Sequence, residues 1–253
     1  MGGKLCQLGE KLYQAYRTNT PLKLGELGLN DKTEAYQIQD EVLQLKEAAG
    51  EKLAGYKISL TSRETQDLFA SDSPLYGGMT DVTVKNTVSL REYNRPLLEL
   101  ELVFLVDEPI SSDDTAEQVF EKCRVAPGIE VPDGRYEDWF PKASLYEVVA
   151  DGAVNGAIVI GDPQKLTYSD VAAIKATLTL DDKFVKEGPS TEVLGHPAKA
   201  VLWLAKELEK HGKKLKAGQF VSSGTFVLPE PLQQGHYQAE FENVGSVNLE
   251  VTD

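Results

Sequence analysis

Two glutamates occupy positions where carboxylates are unusual. Glu99 and Glu101 alternate with leucines in the segment LLELELVFLV at residues 97–106. Folded as a β-strand, this segment would place both carboxylates on one face, and that face continues into Val103 and Leu105. Like charges beside apolar side chains are unfavourable unless they are neutralised, and a divalent cation would neutralise them. A half-buried antiparallel strand with a polar edge would show the same pattern.

A third carboxylate, Glu130, lies in the apolar run VAPGIEVP at residues 125–132. Three carboxylates match the preference of Mg²⁺ or Mn²⁺ for octahedral oxygen coordination and leave about three positions for water or substrate. The three histidines are not spaced as a pair, so we predict that they are surface or structural residues: His196, His211 and His236. The sequence therefore predicts one site for a hard cation, formed by the three glutamates.

Composition excludes several other functions. The 253 residues include 40 Asp and Glu against 26 Lys and Arg, a formal net charge of −14, and no dense basic run, which argues against nucleic-acid binding. The two cysteines, Cys6 and Cys123, are far apart, so neither a disulfide framework nor a structural zinc site is expected. No signal peptide is recognisable, and no segment approaches the roughly 18 apolar residues of a membrane span. We predict a cytoplasmic protein that contacts neither membrane nor nucleic acid.

The sequence predicts three helices, two of them near the N-terminus. Residues 4–17 and 33–49 show helical periodicity, and Asp31 and Glu34 match a capping pair for the second helix. A third helix is predicted from about residue 197 to residue 210.

From residue 56 onward, short β-branched or alternating runs dominate, and Asp181-Asp182-Lys183 is typical of a hairpin turn. The predicted strands are 56–60, 82–89, 97–106, 157–160, 176–180, 184–187, 220–222, 238–242 and 246–251. We therefore predict a single α+β domain over residues 1–253, with a helical portion at 1–54 and a β-rich catalytic core at 55–253.

Several short motifs follow one another in the order and spacing of a known family. They are AYQIQ at 35–39, GYKISLTS at 55–62, YGGMTD at 76–81, LELE at 98–101, GIEV at 128–131, VADGAVNG at 149–156, LGHP at 194–197 and NVGSV at 243–247. Together they resemble the 2-keto-4-pentenoate hydratase, 2-oxohept-3-enedioate hydratase and 4-oxalocrotonate decarboxylase family of the fumarylacetoacetate hydrolase superfamily. The sequence departs from the family pattern at Ser59, where glycine is usual, and at Gly152, where asparagine is usual.

The resemblance implies a fold and a set of site residues. The fold is a mixed β-sheet roll of the fumarylacetoacetate hydrolase C-terminal type with flanking helices, in a homo-oligomer. The metal is Mg²⁺ or Mn²⁺ on the same three glutamates, with catalytic roles for Lys57 and Asp81. Three further residues are predicted to contact the substrate: Ser223, Thr225 and Arg63. Arg95, like Arg63, is a candidate for binding a second substrate carboxylate, because a guanidinium binds one through two hydrogen bonds.

The resemblance also implies an activity. It favours a metal-dependent hydratase that adds water to a 2-hydroxy-2,4-dienoate, such as 2-hydroxypenta-2,4-dienoate, through a metal-stabilised enolate and forms a 4-hydroxy-2-oxo acid. A 4-oxalocrotonate-type decarboxylase of a 2-oxo diacid would use the same enolate. C–C hydrolysis of an acylpyruvate ranks third, because relatives with that activity supply a histidine–carboxylate dyad in their N-terminal part and no histidine precedes His196 here. A non-catalytic partner subunit is the fourth alternative, because hydratases and decarboxylases of this family associate with each other.

Overall fold

The chain forms two mixed β-sheets and a set of helices in the computed structural model, which describes residues 2–253. The helices are α1 (Gly2–Thr18), α2 (Lys32–Ala48), α3 (Arg63–Leu68), α4 (Ala116–Lys122), the single turn α5 (Trp139–Lys142), α6 (Leu145–Ala150) and α7 (Pro197–Lys210). The strands are β1 (Leu53–Ser59), β2 (Leu75–Thr80), β3 (Thr87–Ser89), β4 (Leu97–Val106), β5 (Cys123–Val131), β6 (Ala157–Ile160), β7 (Lys175–Leu180), β8 (Lys183–Pro189), β9 (Phe220–Thr225), β10 (Glu230–Pro231), β11 (Gly235–Phe241) and β12 (Gly245–Thr252).

The two N-terminal helices pack against each other, and α2 also packs against the sheet that carries the glutamates. The predicted capping pair of α2 is confirmed, because the Asp31 side chain accepts a hydrogen bond of 2.8 Å from the Glu34 amide. The apolar face of α2 buries Ala35 and Ile38 completely, and the helix contacts α1, α6 and β2. Burial of this face ties the helical portion to the β-rich part.

The larger sheet has the order β2-β1-β9-β4-β5-β6, with β10 paired to β4. Strand β4 is antiparallel to both β5 and β9, and β1 is parallel to β9. The register places Glu99 opposite Glu130 and Lys57 opposite Ser222. Strand pairing alone therefore brings the candidate metal ligands of β4 and β5 side by side.

The second sheet has the order β3-β12-β11-β7-β8, and β11 and β12 contact β5 of the larger sheet. Asp181 and Asp182 join β7 to β8 and both have positive φ angles, +48° and +62°. These values match a two-residue type I′ turn, so the predicted hairpin is confirmed.

The structure differs from the predicted elements in several places. The predicted strand at 82–89 is wrong over most of its length, because the chain turns through a 3₁₀ helix at Asp81–Thr83, forms a single bridge from Val84 to Ile158 and pairs as a strand only at Thr87–Ser89. Strands β2 and β5 were not predicted. In β2, Gly77 lets two chain segments meet, since a Cβ there would lie 1.8 Å from the carbonyl oxygen of Gly152.

No helix among residues 2–253 combines the length and the apolar character needed to cross a membrane.

Candidate active site

Three carboxylates meet in the middle of the larger sheet. Carboxylate oxygens from Glu99, Glu101 and Glu130 all lie within 4.8 Å of one another. Their side chains are buried, with exposed fractions of 9%, 1% and 0% in that order. The alternation of β4 and the apolar run around Glu130 singled out these three residues, and the structure brings them together.

A buried lysine partly compensates this negative charge. The Lys57 ammonium forms an ion pair with Glu130 Oε1, and the lysine is 1% exposed. Burial alone would lower the pKa of Lys57, but the three neighbouring glutamates outweigh burial and raise it. With all three carboxylates ionised, one ammonium leaves two negative charges uncompensated.

The two glutamates of β4 respond to the same environment. Burial raises the pKa of Glu99 to about 7, with Lys57 opposing and Glu130 adding to the shift. Burial, followed by repulsion from Glu130 and Glu99, raises the pKa of Glu101 well above its ordinary value. Close buried carboxylates are stable in their ionised form only with more positive charge than Lys57 supplies.

A divalent cation fits this set of groups. Glu130 Oε2 is buried and accepts no hydrogen bond from any described residue, which is rare for a carboxylate oxygen. Glu101 Oε2, by contrast, accepts hydrogen bonds of 2.5 Å from Ser222 Oγ and 2.9 Å from the Gly224 amide. Two uncompensated charges, an all-oxygen donor set and an orphaned buried oxygen suit a hard divalent ion.

Ser222 is a site residue that sequence reasoning missed. Side chains alternate along β9, so Ser222 faces Glu101 whereas its neighbour Ser223 does not. Ser223, a predicted substrate contact, is fully buried, its hydroxyl has no partner among the described residues, and it does not line the cavity that opens in front of the glutamates. The register of β9 against β4, which sequence alone did not supply, decides between the two serines.

The structure does not bring three other predicted residues to the cavity. Asp81 is exposed, because β2 ends at Thr80 and the chain turns outward, and its carboxylate accepts a hydrogen bond of 2.9 Å from the Lys52 amide. The predicted catalytic role of Asp81 therefore has no support from its position. The two candidate arginines are exposed and paired with aspartates at the surface: Arg63 with Asp67 at 2.8 Å, and Arg95 with Asp138.

A cavity opens in front of the glutamates. Lys57, Glu99, Glu101 and Thr225 line its polar end, so Thr225 is the predicted substrate contact that the structure does place there. The other walls are mainly apolar and include Leu60, Leu68, Phe69, Trp139, Phe140 and Val154. Such a shape suits a small acid whose polar head meets the carboxylate cluster and whose tail meets hydrocarbon.

The two departures from the family pattern lie in different places. Ser59 lines the cavity, so its hydroxyl adds polarity there. Gly152 lies outside the cavity lining at φ +64°, and its carbonyl accepts a hydrogen bond of 2.9 Å from Asn155 Nδ2. A Cβ on Gly152 would come within 2.2 Å of that nitrogen, so glycine and Asn155 fit each other at this turn.

The first histidine of the chain is structural, as predicted. His196 caps the N-terminus of α7, where Nδ1 accepts a hydrogen bond of 3.1 Å from the Ala198 amide. Its other ring nitrogen lies 3.0 Å from the Tyr168 carbonyl oxygen, and the ring stacks on Tyr168. Burial lowers the pKa of His196, and both of its nitrogens are engaged within the fold.

The two sheets and the buried carboxylate cluster define a member of the fumarylacetoacetate hydrolase superfamily. The 4-oxalocrotonate decarboxylase of Pseudomonas putida G7, solved with magnesium and adipate, superposes with a TM-score of 0.92 at 25% identity, covering 99% of this chain and 98% of that chain. The fumarylpyruvate hydrolase of Pseudomonas aeruginosa, solved with Mn²⁺ and pyruvate, shares the fold at a TM-score of 0.61 and 16% identity, over 79% of this chain and 90% of that chain. The predicted fold class is confirmed.

Sequence comparison identifies the family within that superfamily. No protein-family model matches the chain. The 2-hydroxyhexa-2,4-dienoate hydratase of Comamonas testosteroni is 33% identical over 262 residues, which span 97% of this chain and 96% of that protein. The 2-oxo-hept-4-ene-1,7-dioate hydratase of Escherichia coli is 29% identical over 254 residues, which span 95% of both chains. The chain belongs to this family of hydratases and decarboxylases, so the predicted resemblance is confirmed.

Proposed function

We propose that the protein is a metal-dependent hydratase that converts a 2-hydroxy-2,4-dienoate to a 4-hydroxy-2-oxo acid. The observation that carries the proposal is the cluster of three buried glutamates with one buried lysine at the polar end of an otherwise apolar cavity. The assignment to hydro-lyases is supported by relatives named as hydratases over nearly the full chain.

Glu99, Glu101 and Glu130 would hold the cation. The side chains of Glu101 and Glu130 have different partners within the protein. Ser222 and the Gly224 amide fix the orientation of Glu101, while Lys57 pairs with one oxygen of Glu130. A bound Mg²⁺ or Mn²⁺ would act as a Lewis acid towards the carboxylate and the 2-oxygen of the substrate. Both ions suit an all-oxygen donor set, and we propose Mg²⁺ or Mn²⁺ as the cofactor.

We assign proton transfer in this reaction to Lys57. The net reaction adds a proton to C5, the hydroxyl group of water to C4 and a proton to C3, and it removes the proton of the 2-hydroxyl group as the C2 carbonyl forms. The Lys57 ammonium lines the cavity and its pKa is raised, so it is a protonated donor at neutral pH. Asp81 has no part in this scheme, because its side chain is exposed and lies outside the cavity lining.

Decarboxylation of a 2-oxo diacid is the second candidate. It is favoured by the similarity to the P. putida decarboxylase structure and to a Pseudomonas 4-oxalocrotonate decarboxylase that is 29% identical over 208 residues. Hydrolysis is less favoured, because His196 is held in the fold by both ring nitrogens.

The test is product analysis with the metal-loaded protein. With Mg²⁺, the protein should consume the dienol absorbance of 2-hydroxypenta-2,4-dienoate and form the 4-hydroxy-2-oxo acid. Glu101→Gln should lose this activity, whereas the exposed Glu108→Gln, a matched control on the same chain segment, should retain it. Carbon dioxide release from 4-oxalocrotonate without hydroxy acid from either substrate would overturn the hydratase in favour of the decarboxylase. No turnover of either substrate would favour a non-catalytic partner.

Four finer points remain predictions from the sequence. They are a homo-oligomer, association with a related decarboxylase or hydratase, a place in aromatic compound catabolism, and a cytoplasmic location.

A further inference from the structure

Among the described residues, the cavity lining contains no cationic group that is free to pair with a second carboxylate. Away from the glutamates its walls are mainly hydrocarbon, with Leu60, Phe69, Phe140 and Val154 among them, and Ser59 and Thr65 add only uncharged hydroxyl groups. Within residues 2–253, Lys57 is the one cationic side chain in the lining, and it is paired with Glu130 at the polar end. Building on the hydratase function, we propose that the enzyme selects dienoates whose far end is an uncharged hydrocarbon chain, and discriminates against diacids.

The nearby arginines do not change this conclusion. Arg63 is 78% exposed and is paired with Asp67 one helical turn further along α3. Arg95 is also exposed and is paired with Asp138. A guanidinium that already has a carboxylate partner in water gains little from a second one, and neither arginine lines the cavity.

The magnitude follows from desolvation. An ionised carboxylate that enters an apolar cavity without a partner loses its hydration, so a diacid should bind at least about 100-fold more weakly than the matched monoacid. Each additional CH₂ that reaches the apolar walls should instead strengthen binding by about 4-fold.

Two inert acids test the discrimination without turnover. 2-Oxohexanoate and 2-oxohexanedioate have the same chain length and the same chelating head, and differ in the distal carboxylate alone. Calorimetric titration of the Mg²⁺-loaded enzyme should give at least about 100-fold tighter binding of the monoacid. Equal affinities would overturn the inference and leave the metal site and the hydratase intact. Absence of metal-dependent binding by either acid would overturn the proposed function together with the inference.

Kinetic measurements distinguish discrimination against diacids from decarboxylation of a diacid that is bound at the same apolar wall. Hydrocarbon around a distal carboxylate would also favour its loss as carbon dioxide, because the negative charge leaves the apolar wall and passes through the conjugated chain to the 2-oxygen. The enzyme should hydrate 2-hydroxyhexa-2,4-dienoate with a kcat/KM at least about 100-fold above that for carbon dioxide release from 2-oxohex-3-enedioate. A higher kcat/KM for carbon dioxide release would overturn the inference.

Designed substitutions test which wall of the cavity disfavours binding of the diacid. Leu68 lines the cavity yet is 45% exposed, so it borders the mouth and can accept a longer side chain. Leu68→Arg should strengthen binding of 2-oxohexanedioate at least about 10-fold, since it supplies the missing guanidinium. The matched control Leu228→Arg, at a half-exposed leucine outside this cavity, should have no effect. Equal results for the two variants would contradict the assignment of this wall.

A last pair of variants tests the surface arginines. Arg63→Gln and Arg95→Gln should each leave the ratio of the two affinities unchanged. A loss of diacid binding in either variant would show that an arginine reaches the substrate and would overturn the inference.

Discussion

Ser222→Ala should weaken metal binding although Ser222 is not itself a ligand. The Ser222 hydroxyl donates a hydrogen bond of 2.5 Å to Glu101 Oε2, and both residues are buried. A hydrogen bond to a charged group contributes about 1.5–3 kcal/mol, and loss of an outer partner of a ligand typically weakens metal binding about 10- to 100-fold. The Gly224 amide continues to donate to the same oxygen, so we expect weaker binding rather than loss of the site.

Ser223→Ala is the matched control on the neighbouring position of the same strand. The Ser223 hydroxyl is buried without a partner among the described residues, so its removal breaks no hydrogen bond. Metal affinity should stay within about 2-fold of wild type, and the free energy of unfolding should be unchanged or higher, because burial of an unpaired hydroxyl costs about 1–3 kcal/mol.

The assay is titration of the metal-stripped proteins with Mn²⁺, with the free ion followed by electron paramagnetic resonance. Denaturant unfolding without metal separates an effect on the site from an effect on the fold. The reasoning is refuted if Ser222→Ala binds Mn²⁺ like wild type, or if the two alanine variants lose the same affinity.

Three further predictions concern groups around the site and elsewhere in the core. Lys57→Met should lower turnover at least about 100-fold, because the proton donor is lost. It should also lower the free energy of unfolding of the metal-free protein by about 3 kcal/mol, because Glu130 loses its buried partner. Steady-state kinetics and denaturant unfolding measure the two effects, and near-normal turnover would contradict the role of the lysine. Asp81→Asn should keep kcat/KM within a few-fold of wild type, since the carboxylate is exposed and outside the cavity, and a 100-fold loss would restore it to the mechanism. Burial, with a smaller effect from Arg135, lowers the pKa of Lys46 to about 8, so the unfolded chain holds this proton at a pH where the folded protein has released it. The free energy of unfolding of wild type relative to Lys46→Met should therefore rise by up to about 3 kcal/mol between pH 8 and 10.5, and a flat difference in urea unfolding would contradict the shift.

The sequence was sufficient to predict the cluster of glutamates, because the patterns that mark these residues involve only their neighbours along the chain. Alternation with leucines places Glu99 and Glu101 on one face of β4, and the apolar neighbours of Glu130 mark it as buried. The helix at Pro197–Lys210 was likewise predictable, because its apolar spacing is regular and proline suits the first position of a helix.

Residues whose roles depend on pairing between distant strands were not predictable in the same way. Ser222 and Ser223 have the same side chain on adjacent positions, and the register of β9 against β4 decides which one reaches Glu101. Asp81 was assigned from a motif, but the end of β2 at Thr80 turns it outward. Strand β5 was not predicted, and the structure pairs Pro127 and Gly128 within it.

Proton nuclear magnetic resonance of 2-hydroxypenta-2,4-dienoate with the Mg²⁺-loaded protein tests the central claim most directly. The account predicts that the terminal vinyl signals disappear while a methyl doublet coupled to a C4 carbinol proton appears, and that removal of Mg²⁺ or the Glu101→Gln substitution stops this change. Vinyl signals that persist in a sample whose metal binding has been verified, or a methyl group on a conjugated double bond without a carbinol proton, would contradict a hydratase built on the three glutamates.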